Sequence, residues 1–227
     1  MVNVDTIYQR VLALANKEQR GYITPQEFNL YANQAQMDIF EQYFYDINQF
    51  SRIPGNDTSY SDMLNYLEEK ISLFEKESTG TWYPTGMYQF GCAYYTPPGE
   101  NSVLCEQINA KDVAHINSSP LLKPTRKRPV YTLGVTGINI YPSIDAANIT
   151  IKYTRVPSKV NWTYIVVGDK ALYNNTDVTL QHFELHTSEE TKLVIKILAL
   201  AGITMKDPNL YQAAAAEDLK NIQQEKS

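Results

Sequence analysis

The chain has 227 residues, 43% of them hydrophobic and 20% charged, with a net charge of −5. This is an ordinary globular composition, enough for one large domain or two small ones, and it lacks the cationic field that a duplex-binding surface needs. No run of 18 apolar residues occurs, so no membrane span is expected; the opening segment has no apolar signal core, and two cysteines are too few for a disulfide framework.

The first element predicted is a helix over about 3–19. Asn3 is placed to cap it, and Asp5 sits in the first turn, where the helix dipole favours a carboxylate. Val4, Ile7, Tyr8, Val11, Leu14 and Ala15 follow helical spacing and mark its inner face. Gly21 suits the left-handed position just past its end. Thr24-Pro25-Gln26-Glu27 then forms a capping box with Pro at the first helical position; loss of the Thr24 cap should cost about 1 kcal/mol. Residues 16–27 imitate a calcium loop, with Gly21 at position 6 and Glu27 at position 12. The ligand positions fail, because Asn16 stands first, the longer Glu18 third and Arg20 fifth, so a helical corner is expected instead.

The second helix is predicted over about 24–50 and carries two apolar stripes. Phe28, Ala32, Ala35, Ile39 and Tyr43 share one face; Leu30, Met37 and Phe44 lie nearly opposite. Asn29 and Gln36 fall between the stripes on one flank, Gln34 and Asp38 on the other. A helix apolar on two sides is usually sandwiched, either within its own bundle or against a neighbouring subunit. Residues 51–59, with Pro54-Gly55-Asn56, read as a turn. A short helix follows over about 60–74, with Met63, Leu64, Leu67, Ile71 and Phe74 at helical spacing.

The chain then changes character. Tyr88, Phe90, Cys92 and Tyr94 alternate with smaller or polar residues, as in a half-buried strand. Further strands are predicted at 103–108, 130–133, 138–142, 149–155 and 164–167, punctuated by Gly and Pro. Short strands at such intervals indicate an antiparallel sandwich or small barrel. The chain holds 17 Tyr against two Trp; tyrosine suits interfaces and sheet cores alike. Each Trp is expected to be buried, Trp162 beside Ile165 and Val166.

At the C-terminal end Thr187-Ser188-Glu189-Glu190 reads as another capping box. Leu193, Val194, Ile195, Ile197, Leu198, Leu200 and Ala201 then cover most of a helix, with Lys192 and Lys196 as a narrow polar strip. Such a helix wants burial on nearly all sides, and the N-terminal pair is the available partner. A last helix begins at Asp207-Pro208, with Tyr211, Ala215, Leu219 and Ile222 as its stripe. The fold class expected is therefore α+β: residues 1–79 and 178–227 as one helical bundle, with residues 80–177 as an inserted antiparallel β-sandwich or small barrel.

No pattern carries enzyme chemistry. His115, His182 and His186 have no Cys or acid at zinc-like spacing. No Walker loop, G-x-S-x-G or G-x-G-x-x-G occurs. Glu68-Glu69 and Glu189-Glu190 read as solvated faces or caps rather than acid/base pairs. No catalytic residue, metal or cofactor is expected.

Three long phrases are distinctive: VLALANKEQRGYITPQEFNLYANQAQMDIFEQYF, then RKRPVYTL with INIYP, ITIKYTRVP and NW, and finally FELHTSEETKLVIKILALAGITMKDPNLYQ. Together they resemble a family of virion proteins from crAss-like and related podovirus-type tailed phages, through most of the chain except 82–123. The resemblance implies a head-to-tail adaptor, or ring protein, beneath the portal. Such proteins form dodecameric rings around the DNA channel, and the layout is similar to that of tail tubular protein A. The implied partners are further copies of the chain, the portal protein, neighbouring tail or ring proteins, and genomic DNA passing without sequence-specific binding. The implied location is the virion neck.

A cyclic ring needs two different adhesive surfaces on each subunit. Subunit contacts are assigned to Leu30, Met37 and Phe44, with Lys123, Arg126, Lys127 and Arg128 pairing acids next door. Docking to the portal or a neighbouring ring is assigned to the last helix, through Leu210, Tyr211, Leu219 and Ile222. The alternative is a peripheral tail protein whose β module binds glycan by aromatic stacking.

Overall fold

A computed structural model describes residues 1–17, 23–52, 62–168 and 170–204, together with Ala216 and Lys220. The chain is mixed α+β. Its helices are α1 (Val4–Lys17), α2 (Pro25–Arg52), α3 (Asp62–Ser72), α4 (Val113–Ser118) and α5 (Glu190–Thr204). Its strands are β1 (Glu75–Thr79), β2 (Met87–Tyr95), β3 (Val103–Leu104), β4 (Glu106–Gln107), β5 (Val130–Leu133), β6 (Ile138–Tyr141), β7 (Ile149–Arg155), β8 (Tyr164–Val167) and β9 (Lys170–Tyr173). Among the described residues no helix is long and apolar enough to cross a membrane. The Gly21 stop, the calcium-like loop, the 54–56 turn and the last helix's Leu210, Tyr211, Leu219 and Ile222 lie wholly or largely outside the described residues.

Two compact units divide the chain: residues 1–73 with 157–227, and residues 74–156. The intervening unit thus ends well before 177, and the β8–β9 hairpin belongs with the helices. The physical reason is local. In residues 158–162 the backbone of Ser158, Val160 and Trp162 is hydrogen-bonded by amide side chains of α2, while Asn161 bridges Gln181, so the segment is tied to the helical unit.

In the first unit the sequence signals act as expected at both helix starts. Asn3 Oδ1 accepts the Asp5 N–H at 2.8 Å. Thr24 Oγ1 accepts the Glu27 N–H at 3.3 Å, while Glu27 Oε2 accepts the Thr24 N–H at 3.0 Å, a reciprocal capping box. Val4, Ile7, Tyr8, Val11 and Ala15 are buried, whereas Leu14 is exposed. On α2, Phe28, Ala32, Ala35, Ile39 and Tyr43 are all buried. Both α1 and α2 pack on α5, whose Leu193, Val194, Ile197, Leu198 and Ala201 are buried. The two chain segments of this unit also meet directly: Val2 and Phe183 form an antiparallel bridge, and Arg10 pairs with Glu190 at 2.9 Å.

The start of α5 departs from expectation. A 3-10 turn, Thr187–Glu189, precedes the helix, and its cap is His186, whose Nδ1 accepts the Ser188 N–H. Glu190, the acid of the expected box, forms an ion pair with Arg10, and Glu189, expected on a solvated face or cap, turns inward to an ion pair with Lys70 of α3. Lys192, expected on a polar strip, is buried.

The second unit holds a sheet of order β1-β7-β2-β3 and another of order β4-β5-β6. Neither sheet closes on itself, so the small-barrel expectation is corrected. Pairing is antiparallel except for β4 with β5, which run parallel. Residues of both sheets share one core: Ala93, Tyr95, Ile149 and Ile151 from the first, Tyr131 and Ile138 from the second. The inward parity of β2 is another correction. Tyr88 is exposed, and Ala93 and Tyr95 are buried instead of Cys92 and Tyr94. A register shift between Phe90 and Cys92 inserts Gly91 opposite β7, and one extra residue flips the side-chain alternation. Glycine stands there because a Cβ would come within 2.9 Å of the Lys152 carbonyl oxygen.

Candidate subunit interface

The residues that would carry chemistry are occupied by structure. His182 Nδ1 accepts the Val4 N–H at 3.3 Å, satisfying a backbone group at the first turn of α1. His186 caps the turn before α5. Among the described residues no group of three His, Cys, Asp or Glu could hold a metal ion. Cys105 is buried, and burial pushes its thiol up to about 11, away from the thiolate form that reacts. Glu27 is held below the usual carboxylate range by the Thr24 N–H and hydroxyl, as befits a cap.

A polar ladder is the best-defined feature of α2. Asn29, Asn33 and Gln36 stand at i, i+4 and i+7 and so share one face. Asn29 Oδ1 accepts the Trp162 N–H at 2.8 Å and its Nδ2 donates to the Trp162 carbonyl at 3.2 Å. Asn33 does the same for Val160, at 2.8 and 2.9 Å. Gln36 donates to the Ser158 carbonyl at 2.9 Å and accepts the Glu184 N–H at 3.2 Å. Three side-chain amides thus stand in for a neighbouring strand, pairing alternate residues of an extended segment. They hold Trp162, 1% exposed, against Tyr8 at 4.2 Å between ring centres, with its indole N–H donating to Asp5 at 2.9 Å. The sequence placed Asn29 and Gln36 together on one flank of the helix; Asn33 between them, and the segment they face, were not found.

A second polar feature locks α3 in place. Lys70 and Glu189, both buried, form an ion pair, and the Lys70 ammonium lies 4.3 Å from the centre of the Tyr66 ring and 5.4 Å from that of Tyr43. Removing either charge would strand the other in a low-dielectric site.

The residues assigned to subunit contact divide by exposure. Leu30 is 71% exposed. Met37 and Phe44 are half-buried, and Phe44 packs edge-on against Phe40 at 5.1 Å. The outer stripe of α2 is therefore most open at its N-terminal end. On the hairpin, Ile165, Val166 and Val167 are consecutive and all exposed, so both faces of β8 present apolar groups. Trp162, just before the hairpin, is deeply buried, while Tyr164 and Tyr173 on its strands are half-buried. Trp82 corrects the other expectation: it is 71% exposed, because its backbone bridges Gly137 at the sheet margin instead of lying across the core.

The basic cluster forms a built loop in the second unit. Thr125 and Arg128 exchange backbone hydrogen bonds of 3.3 and 3.0 Å, so Arg126 and Lys127 occupy the tip of a two-residue turn. Pro124 and Pro129 are buried at its base. Arg128 is committed within its own chain, donating to Glu106 through Nη2 at 2.9 Å and Nε at 3.3 Å. Lys123, Arg126 and Lys127 are exposed and, among the described residues, have no ion-pair partner. Leu121 beside them is 93% exposed.

No protein-family model matches the chain, and no curated protein matches it.

Proposed function

We propose that the chain is a structural subunit of a head-to-tail connector: an adaptor ring below the portal of a tailed phage, forming part of the DNA channel and lacking catalytic activity. The observation that carries this reading is the co-folding of distant chain segments. Helices from both segments of the first unit pack together, Val2 bridges Phe183, and a sheet unit interrupts them. This arrangement fits the layout implied by the family resemblance, a helical bundle carrying an inserted β-sandwich. Exposed apolar groups on α2 and β8, and an exposed basic turn, supply the distinct surfaces that a heterologous ring requires. The ring passes genomic DNA without gripping it, in keeping with a net charge of −5. The segment 207–227, with Leu210, Tyr211, Leu219 and Ile222, meets the portal or a neighbouring ring.

Mass measurement of the purified chain tests this directly: a closed oligomer, expected as a dodecamer, supports it, and a strict monomer at micromolar concentration overturns it. Truncation before Asp207 is expected to leave the ring assembled while abolishing its docking to portal particles.

One observation favours a second reading, a peripheral tail protein whose β unit binds glycan. Trp82 and Tyr88 are both exposed on that unit, and exposed aromatic faces stack on sugar rings. Glycan-array binding by the monomer, lost in Trp82→Ala, would favour it over the ring.

A further inference from the structure

The basic turn and α3 are complementary, and the complement lies in the same sequence. Lys123, Arg126, Lys127 and Arg128 account for four of only 20 basic residues, against 25 acidic ones. Setting them aside leaves the rest of the chain more acidic still, so another copy of this chain is an electrostatically favourable neighbour for the turn. The turn also carries apolar surface, in Leu121 and Leu122. A phosphate backbone would gain nothing from those leucines, whereas a protein surface with matching apolar groups would.

Such a surface exists on α3. Tyr66, Glu69 and Leu73 stand at i, i+3 and i+7, so they line one side of the helix and its first following residue, and all three are exposed. Glu68, also exposed, lies about 100° further round the helix from Glu69 and so outside this stripe. Among the described residues the Glu69 carboxylate has no ion-pair or hydrogen-bond partner, the Ser72 hydroxyl donating to the Glu69 backbone carbonyl instead. The helix that presents them is fixed from beneath by the buried Lys70–Glu189 pair, so the stripe is preformed. The turn is equally preformed by the Thr125–Arg128 bridge and the Arg128–Glu106 pair. Two rigid surfaces lose little conformational freedom on meeting.

We propose that the 119–128 turn of one copy docks on the α3 stripe of a second copy, Arg126 and Lys127 facing Glu69 while Leu121 meets Tyr66 and Leu73. The contact joins two different surfaces, so it propagates head to tail and closes a ring when the rotation permits. It names the subunit contact of the ring and so rests on the function proposed above.

Complementary charge reversals test it. R126E/K127E and E69K alter only exposed side chains and, below the concentration at which the wild-type chain assembles, should leave the far-ultraviolet circular dichroism spectrum and melting curve unchanged. Mass photometry of the wild-type chain should reveal the oligomer. Each variant alone should need roughly tenfold or more protein to assemble, because like charges then face each other. An equimolar mixture of the two variants should assemble again, since each supplies the surface that the other lacks. Raised salt should weaken the wild-type contact. Assembly of both variants at wild-type concentrations would overturn this contact while leaving the ring role standing. Failure of the mixture to recover would also overturn the pairing. A wild-type chain that stays single throughout would overturn both.

Discussion

Val160 depends on one side chain for both of its backbone hydrogen bonds, which makes Asn33→Ala a sharp test of the amide ladder. Its N–H donates to Asn33 Oδ1 at 2.8 Å and its carbonyl accepts from Asn33 Nδ2 at 2.9 Å. Val160 is 2% exposed, so water reaches those groups poorly once the amide is gone. A buried backbone group left without a partner costs about 1–3 kcal/mol. Two such groups, partly relieved because Asn33 itself is only half-buried, should lower unfolding stability by about 2–4 kcal/mol. Urea unfolding followed by Trp162 fluorescence is the assay. A Trp82→Phe background leaves Trp162 as the sole reporter, and it lies within the unit being tested. Gln34→Ala, on the exposed flank where the amide bonds only Asp38, is the control, expected within about 0.5 kcal/mol of the parent. If Asn33→Ala were no worse than Gln34→Ala, the segment 158–162 would be held by packing, the Asn161–Gln181 bridge and the Ser158–Glu184 bonds, and the Asn33 rung would be incidental.

The other expectations concern three separate devices. Lys70→Ala should destabilise the first unit by about 3–5 kcal/mol, because Glu189 is left buried and unpaired; the double change Lys70→Met with Glu189→Leu should recover much of that loss, read by the same denaturant titration. Gly91→Ala should cost about 1–3 kcal/mol as the new methyl group meets the Lys152 carbonyl, and differential scanning calorimetry should register it. Alkylation of the folded chain at pH 8, mapped by peptide mass, should label half-buried Cys92 well before Cys105. The Cys105 thiol is pushed up to about 11 by burial, so the folded state holds its proton where the unfolded chain has lost it. Its contribution to stability is therefore complete below the ordinary thiol range, about 8.5, and is lost as pH rises from there toward 11. A Cys105→Ala variant should flatten that part of the stability curve.

Helix starts were readable from sequence because their signals are local. Asn3 and the Thr24–Glu27 box act within one turn, and nothing distant can override them cheaply. The buried face of α2 was readable for the same reason, as a 3.6-residue period. The signals failed where a neighbour decided the outcome. Glu189 resembles a cap residue in sequence, but Lys70, 119 positions away, draws it into the interior. β1 has no apolar alternation at all, since Glu-Lys-Glu-Ser-Thr is an almost wholly exposed edge strand, and only its pairing with β7 makes it a strand. On β2 the alternation was present but its phase was hidden, because one bulge at Gly91 exchanges the two faces.

The candidate interface follows the same division. Exposure of Leu30 matched its place on an outer stripe, yet the same period gave Phe44, which leans on Phe40 one turn away. Charge counting found the 123–128 cluster; it could not separate Arg128, tied to Glu106, from the unpaired tip residues Arg126 and Lys127. That separation matters energetically. A cation already paired in its own subunit gains little by changing partners, whereas a solvated tip residue facing a solvated carboxylate gains a modest amount, typically under 1 kcal/mol per exposed pair. Contacts this weak would not hold two copies together alone. In a closed ring each subunit makes the contact twice, and releasing one subunit requires breaking both at once, so closure multiplies what a single exposed contact contributes. Charge reversal at the tip should therefore affect assembly far more steeply than it affects the stability of one folded chain.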